Sequence, residues 1–366
     1  MRIAFDYQIF ALQSYGGISR YFVRLAEGLI ALEQRIEVFA PLHRNHYLSS
    51  ISIDIVNGSY INQYPPKTKR LLSAYNQIIS GHKISKWRPD IVHETYYSRF
   101  GVPPGRNKTV LTVHDMIHEL YPREFRGRDN THVLKKLSIE RADHVICISE
   151  NTKKDLMRLH GTPESKISVV LLGFDQLLAD ASDSSSISLG VKPFLLYVGQ
   201  RSGYKNFSDF IKAVAASSKL LADFDVIAFG GGKLSSAEKA LISKLGFAVD
   251  QVRQVSGDDA LLGSFYRAAS AFVYPSLYEG FGIPPLEAMA HLCPVIASNS
   301  SSMPEVIGDA AEYFDPNECD SMRCAIEIVV YSEARKADLR NKGTARLNYF
   351  SWQKCTLQTL DVYKKL

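Results

Sequence analysis

Short apolar runs alternate along this chain with longer stretches in which apolar residues return every third or fourth position. Residues 3–5, 36–39, 91–93, 108–113 and 144–148 have the length and composition of strands. The stretch 14–32 opens on Gly16-Gly17. From Ser19 onward it places Phe22, Leu25, Ala26 and Leu29 on one helical face. Ser149 stands before a helical stretch over 150–159 as its N-cap. A rhythm of this kind predicts βαβ units, and hence a parallel sheet with helices on both faces.

The rhythm breaks at residues 180–188, DASDSSSIS, which read as a linker or surface loop. It resumes with a strand over 193–198, a loop, and a helix from about Asn206. Further strands are predicted at 226–229, 271–274, 295–297 and 312–314. The closing stretch 352–366 reads as an amphipathic helix with Leu357, Leu360, Val362 and Tyr363 on one face. The expected fold class is α/β, with two Rossmann-like αβα domains facing each other across a cleft. The first is expected over 1–175, completed by 352–366, and the second over 176–351. In doubly wound sheets, ligands bind beyond the carboxyl ends of the strands, so functional residues are expected just after strands.

Composition changes this picture little. The 366 residues are 46% hydrophobic and 22% charged, as in an ordinary globular protein of two domains. No apolar run approaches the ~18–20 residues that span a bilayer. The opening Met1–Asp6 reads at once as a strand, so a cytoplasmic setting is expected, or a peripheral one at the inner face of a membrane. Five scattered cysteines, with no CxxC pair, argue for reduced thiols rather than disulfides or a metal site. Charge is more informative. Residues 1–175 carry 24 basic against 17 acidic side chains, and residues 176–366 carry 19 against 21. The two domains are therefore expected to face different partners.

Two segments carry candidate chemistry. In 275–290, PSLYEGFGIPPLEAMA, a strand ends, a glycine-bearing loop follows, and a helix starts at a proline pair. Proline suits a first turn, whose amides lack intrahelical partners, and the helix start favours sugar hydroxyls or phosphate oxygens. Gly280 and Gly282 let the backbone approach a ligand. Glu279 and Glu287 can accept from paired hydroxyls, or can merely complement the helix dipole. In 198–206, VGQRSGYKN, another strand ends in a loop that presents Arg201 and Lys205. Two cations so placed can clamp a diphosphate and neutralise the charge that grows on it as it leaves; a solvated basic loop is the plainer reading.

Together these segments resemble the family 4 glycosyltransferases of the GT-B fold. Gly16-Gly17, His114-Asp115, Ser301-Ser-Met-Pro-Glu-Val306 and Phe350-Ser-Trp352 add to the likeness in the same order along the chain. The stretches YGGISRYFVRLA and TVHDMIHE are most similar to bacterial mannosyl- and rhamnosyltransferases of surface polysaccharide synthesis. The resemblance implies a retaining hexosyltransferase. The donor would be a nucleotide diphosphate sugar such as GDP-mannose, and the acceptor a glycan or lipid-linked glycan of the O-antigen or exopolysaccharide kind. Glu287 would hold the ribose. Glu279 would bind the donor sugar, with Gly280, Phe281, Gly282 and Ile283 around it. Arg201 and Lys205 would take the diphosphate without a metal or other cofactor. Gly16 and Gly17 would admit the phosphates, and His114 would stand near the transferred sugar. The chain departs from the family at Leu292, where a glycine usually stands, so the preceding helix is expected to end another way.

Other signals are weaker. Gly230-Gly231-Gly232-Lys233 lacks the spacing of a P-loop. Asp223-Phe224-Asp225 has the form of a metal-binding DxD but precedes a strand. In His114-Asp115, adjacent side chains of an extended strand point opposite ways, so His114 alone is expected to face the cleft. Lys67, Lys69, Arg70, Lys83, Lys86 and Arg88 are interspersed with Leu71, Leu72, Tyr75, Ile78, Ile79 and Trp87. This suggests either a helix docking on an anionic membrane or a lipid-linked acceptor, or a sheet-packed helix with a charged outer face. Nucleic-acid binding is not expected, since basic and aromatic residues are not densely interleaved. An epimerase or phosphorylase on the same architecture, or an inactive scaffold subunit, are the alternative readings.

Overall fold

The computed structural model describes residues 1–366 apart from 52–53, 103–104, 126, 128, 176–191 and 202. The expected linker at 180–188 lies outside the described residues. The chain forms two compact units, Met1–Gly173 with Ser351–Leu366, and Phe174–Phe350.

The first unit holds strands β1 (Arg2–Phe5), β2 (Arg35–Val38), β3 (Leu42–His43), β4 (Ser59–Tyr60), β5 (Ile91–Glu94), β6 (Lys108–Val113), β7 (His144–Cys147) and β8 (Ile167–Val169). Its helices are α1 (Gln8–Leu12), α2 (Gly17–Ala31), α3 (Lys69–Trp87), α4 (Ile117–Leu120), α5 (Thr131–Arg141) and α6 (Glu150–His160). Six strands form a parallel sheet in the order β2-β1-β5-β6-β7-β8, and β3 and β4 pair beside it. The strands are near-continuous apolar runs because both faces are covered. Phe5 and Phe22 meet edge to face at 5.4 Å in the core. Ser149 caps α6 by accepting from Thr152 N at 3.0 Å.

The second unit holds β9 (Phe194–Val198), β10 (Asp225–Phe229), β11 (Val252–Val255), β12 (Ala271–Tyr274), β13 (Val295–Ser298) and β14 (Ala311–Phe314). Its helices are α7 (Phe207–Ala215), α8 (Ser218–Asp223), α9 (Ser236–Lys244), α10 (Asp259–Ala268), α11 (Ile283–Ala290), α12 (Met303–Ile307), α13 (Cys319–Val330) and α14 (Glu333–Leu347). The sheet is parallel, in the order β11-β10-β9-β12-β13-β14. Tyr197, Phe207 and Phe210 form one side of its core with Met322, Ile326 and Val329 of α13. Strand β11 escaped the sequence pattern because Arg253 and Gln254 interrupt it at an edge of the sheet.

The last helix, α15 (Trp352–Lys364), belongs to the first unit and lies against α2. The approach is close: a Cβ on Gly28 would come within 2.3 Å of Thr356 Oγ1. Its buried residues include Cys355, Thr356, Thr359, Leu360, Val362 and Tyr363. Leu357 was expected among them but is 42% exposed. At ~100° per residue it falls about 110° to one side of the middle of the stripe formed by 356, 359, 360 and 363.

Leu292 corrects a second expectation. It does not end α11 in another way but takes the left-handed conformation itself, with φ 57°. Its N–H reaches Met289 O at 3.0 Å and that of Cys293 reaches Ala288 O at 2.9 Å. Arg340 Nε donates to Leu292 O at 3.0 Å, and the leucine side chain stays outside.

Candidate active site

In each sheet the chain first builds outward from one strand and then crosses to that strand's other side. In the first unit this happens between β1 and β5, and in the second between β9 and β12. Such a switch point opens a crevice beyond the strand ends.

In the second unit, the loops after β9 and β12 meet at this place. Lys205 Nζ donates to Glu279 Oε1 at 2.6 Å, and Ser276 Oγ donates to the same oxygen at 2.7 Å. The carboxylate is 10% exposed and the ammonium 21%. The Glu279 backbone is also held. Its N–H donates to Ser301 Oγ at 2.9 Å, and its carbonyl accepts from Ser301 at 3.1 Å and from Ser302 at 2.9 Å. Ser302 also donates to Phe281 O at 2.8 Å, and Ser298 to Ser276 O at 2.6 Å. The serines are the part of the site that sequence reasoning missed. Their only signal was the Ser301-Ser302 pair in a family-like motif.

Glu279 therefore sits rigidly before α11. Gly282 caps this helix with φ 105°, a conformation that only glycine adopts without strain. Pro284 and Pro285 carry no N–H, so the amide donors of the first turn are those of Gly282 and Ile283. Phe281 is 3% exposed and packs edge-on to Phe350 at 5.8 Å, so its ring serves the core. Glu287 is the fifth residue of α11, and Tyr266 O–H donates to its Oε2 at 3.2 Å.

Arg201 and Lys205 turn to different partners within the second unit. The Arg201 side chain is 4% exposed and donates to Glu238 Oε1 at 2.7 Å, Gly230 O at 3.0 Å, Gly232 O at 2.9 Å and Lys233 O at 3.1 Å. It ties the glycine loop after β10 to the loop after β9. Glu238 in turn closes a capping box with Ser235 at the start of α9. Burial opposes ionisation of its carboxyl, but Arg201 and Ser235 together hold it below the usual range. The glycines are required here. Gly231 has φ 68°, and a Cβ on it would lie 2.6 Å from Gly199 O.

In the first unit, His114 follows β6 and is 7% exposed. Its ring meets Tyr21 edge-on at 5.3 Å, and its Nε2 has no hydrogen-bond partner among the described residues. Burial holds the imidazole neutral, with its pKa pushed down to about 4; Asp115 opposes this shift and Lys135 adds to it. Asp115 accepts from Ile117 N at 3.0 Å at the start of α4. Its carbonyl accepts from the fully buried Lys135 at 2.8 Å. Behind His114, His93 bonds Thr112 Oγ1 at 2.8 Å and Tyr363 O–H at 2.6 Å. A Cβ on Gly16 would lie 2.2 Å from Gln13 Oε1 and push that side chain aside, whereas Gly17 faces open space.

The switch point of the first sheet opens into a cavity of about 1190 Å³. Gln8, Gln13, Tyr96, Arg99 and Asp129 contribute to its lining, with Gln77 from α3. Neither aspartate of the DxD-like segment is placed for a shared ligand. Asp223 accepts from Tyr331 O–H at 3.0 Å, and Asp225 pairs with Arg253 at 3.1 Å.

The family pattern described as Glycosyltransferase Family 4 matches residues 15–176, and that described as Glycosyl transferases group 1 matches 182–346. The chain is 25% identical to O-antigen chain mannosyltransferase B of Escherichia coli over 96% of each protein. It is 32% identical to O-antigen chain mannosyltransferase RfbU of Salmonella typhimurium over 62% of each. The fold matches that of sucrose-phosphate synthase from Thermosynechococcus elongatus with a TM-score of 0.77, at 20% identity, over 100% of this chain and 98% of that one. The matched patterns cover almost the whole chain between them, one on each unit, and the chain belongs to the family 4 glycosyltransferases: it is a hexosyltransferase of the GT-B fold.

Proposed function

We propose that the chain transfers mannose from GDP-mannose, with retention of configuration, to a glycan or lipid-linked acceptor of the O-antigen kind. The observation that carries this reading is the fixed Glu279 carboxylate at the switch point, gripped by Lys205 and Ser276 beside the start of α11. The names of the two mannosyltransferase relatives support the choice of sugar and of product.

In this reading Glu279 accepts from hydroxyls of the donor sugar, and Glu287 accepts from the ribose. The bond from the anomeric carbon to the phosphate oxygen breaks as the acceptor oxygen bonds to that carbon on the same face. The acceptor's proton passes to the leaving phosphate. Lys205 lies where that phosphate gathers charge, and Gly282 and Ile283 N–H add donors, so no divalent metal is required. Neutral His114 keeps its ring packed against Tyr21 at the acceptor side. A lipid-linked acceptor would bring the enzyme to the inner face of a membrane. No described helix is long and apolar enough to cross one.

The test is product analysis with GDP-mannose and with UDP-, dTDP- and ADP-hexoses, in EDTA. An α-linked mannoside from GDP-mannose is the expected result. Turnover with another donor only would replace the sugar, a β-linked product would remove retention, and dependence on Mg²⁺ would remove the metal-free mechanism.

A further inference from the structure

Lys135 of α5 is fully buried, which a lysine tolerates only when its charge is paired. Its ammonium is the centre of a knot of three segments. It donates to Asp115 O in the loop after β6 at 2.8 Å and to Glu119 Oε2 of α4 at 2.8 Å. Asp115 Oδ1 lies 3.6 Å away, and the ring of Tyr97, in the segment after β5, has its centroid at 5.3 Å. Burial opposes ionisation of Glu119, but His160 of α6 and Lys135 bring its carboxyl down to about 2. Glu119 is therefore an anion at neutral pH, and the buried ammonium meets a full charge.

Joining α4 to α5 does not by itself call for charge, since an apolar pair of similar volume holds two helices at least as well. What an ammonium adds is a donor for a main-chain carbonyl. Asp115 O is that carbonyl, and the Asp115 carboxylate takes Ile117 N at 3.0 Å, so residue 115 is held on both sides. His114 stands between this pinned residue and Val113, the last residue of β6, whose ladder partner is Cys147. The main chain of His114 is thus fixed at both ends. Its ring rests against Tyr21, and its Nε2, with no partner among the described residues, is left for a ligand. A buried nitrogen left unpaired costs about 1–3 kcal/mol, which a substrate hydroxyl would offset.

We propose that Lys135 is a positioning residue for glycosyl transfer: by gripping the Asp115 carbonyl it sets the His114 ring so that Nε2 meets a hydroxyl at the acceptor side. The inference rests on the transferase reading above and adds to it a residue that is itself sealed from both substrates. A displacement of about 1 Å at a reacting group can cost about 100-fold in rate, so a grip one residue away is enough to matter.

The test uses the whole chain carrying Lys135→Met/Glu119→Gln, which removes both charges together so that no fully buried ion is left unpaired. Melting temperature should stay near that of the wild type. With GDP-mannose, or whichever donor the product analysis selects, kcat should fall about 10–100-fold while donor KM stays within about twofold. Adding His114→Ala should then cost less than it costs in the wild type, because both residues act through one ring. In the ligand-free chain, amide exchange at residues 114–117 should quicken at least ~tenfold while that of β7 stays slow. Unchanged kcat, a KM that rises as kcat falls, or losses that multiply independently with His114→Ala would overturn the proposal. So would exchange quickened across the whole first unit with a lowered melting temperature, since Lys135 would then serve the core only. Wild-type exchange at 114–117 would overturn it without any donor; failure of every donor to turn over would instead sink the transferase reading.

Discussion

Replacing Arg201 with alanine should destabilise the ligand-free protein. The guanidinium holds one carboxylate and three carbonyls within 3.1 Å while only 4% exposed. A hydrogen bond to a charged partner contributes ~1.5–3 kcal/mol and one between a side chain and a carbonyl ~1 kcal/mol. Glu238 is 20% exposed, and water can replace part of what it loses. The net cost should therefore be about 2–4 kcal/mol, borne by the second unit. Urea unfolding without ligand measures it, and amide exchange at residues 230–233 shows where the loss falls. Glu238→Gln should cost less, and the double variant should show a coupling of about 1–2 kcal/mol. Nucleotide affinity and turnover should fall together, because the glycine loop loses its strut. If ligand-free stability and exchange stay unchanged while transfer collapses, Arg201 is a free cation waiting for phosphate, and the strut reading is wrong.

Lys205→Ala should lower kcat by about 100-fold or more while changing KM little, because the charge it meets grows in the transition state; steady-state kinetics decide. Leu292→Gly should stabilise the chain by about 0.5–1 kcal/mol, read as a higher urea midpoint, since it relieves a left-handed leucine whose side chain is exposed. Stability should also fall below neutral pH. Burial pushes His114 down to about 4 and His93, also opposed by His114, down to about 3. Between these values and the unfolded ~6.5 the unfolded chain binds more protons, so stability is complete above ~6.5 and drains away as the pH falls toward 4 and 3. His93→Gln should flatten that slope in urea titrations from pH 7 to pH 4.

The sequence made the alternating elements, the parallel sheets and the loops after β9 and β12 legible, because each follows from local periodicity and glycine or proline punctuation. What it concealed was partnership. Nothing local says that Arg201 turns to a glycine loop thirty residues on, while Lys205 turns to Glu279. Nor does periodicity say that Ser276, Ser301 and Ser302 converge on one glutamate, since serines read alike in any loop. For α3 the apolar pattern was visible but its direction was not. That direction is set by Asn76 and Ser80 finding main-chain partners at Leu42 and Phe39.

The return of α15 to the first unit bears on the order in which the molecule can be made. The second unit is one unbroken stretch, Phe174–Phe350, whereas the first is split between the start of the chain and residues 351–366. Cys355, Leu360 and Tyr363 fill space against the start-of-chain segment, and Tyr363 grips His93. On the ribosome the earlier-made segment must therefore wait, with that surface uncovered, until the later-made unit has emerged and the final helix follows. Vectorial synthesis thus favours the second unit as the first to reach its native state, the reverse of the usual N-terminal-first order.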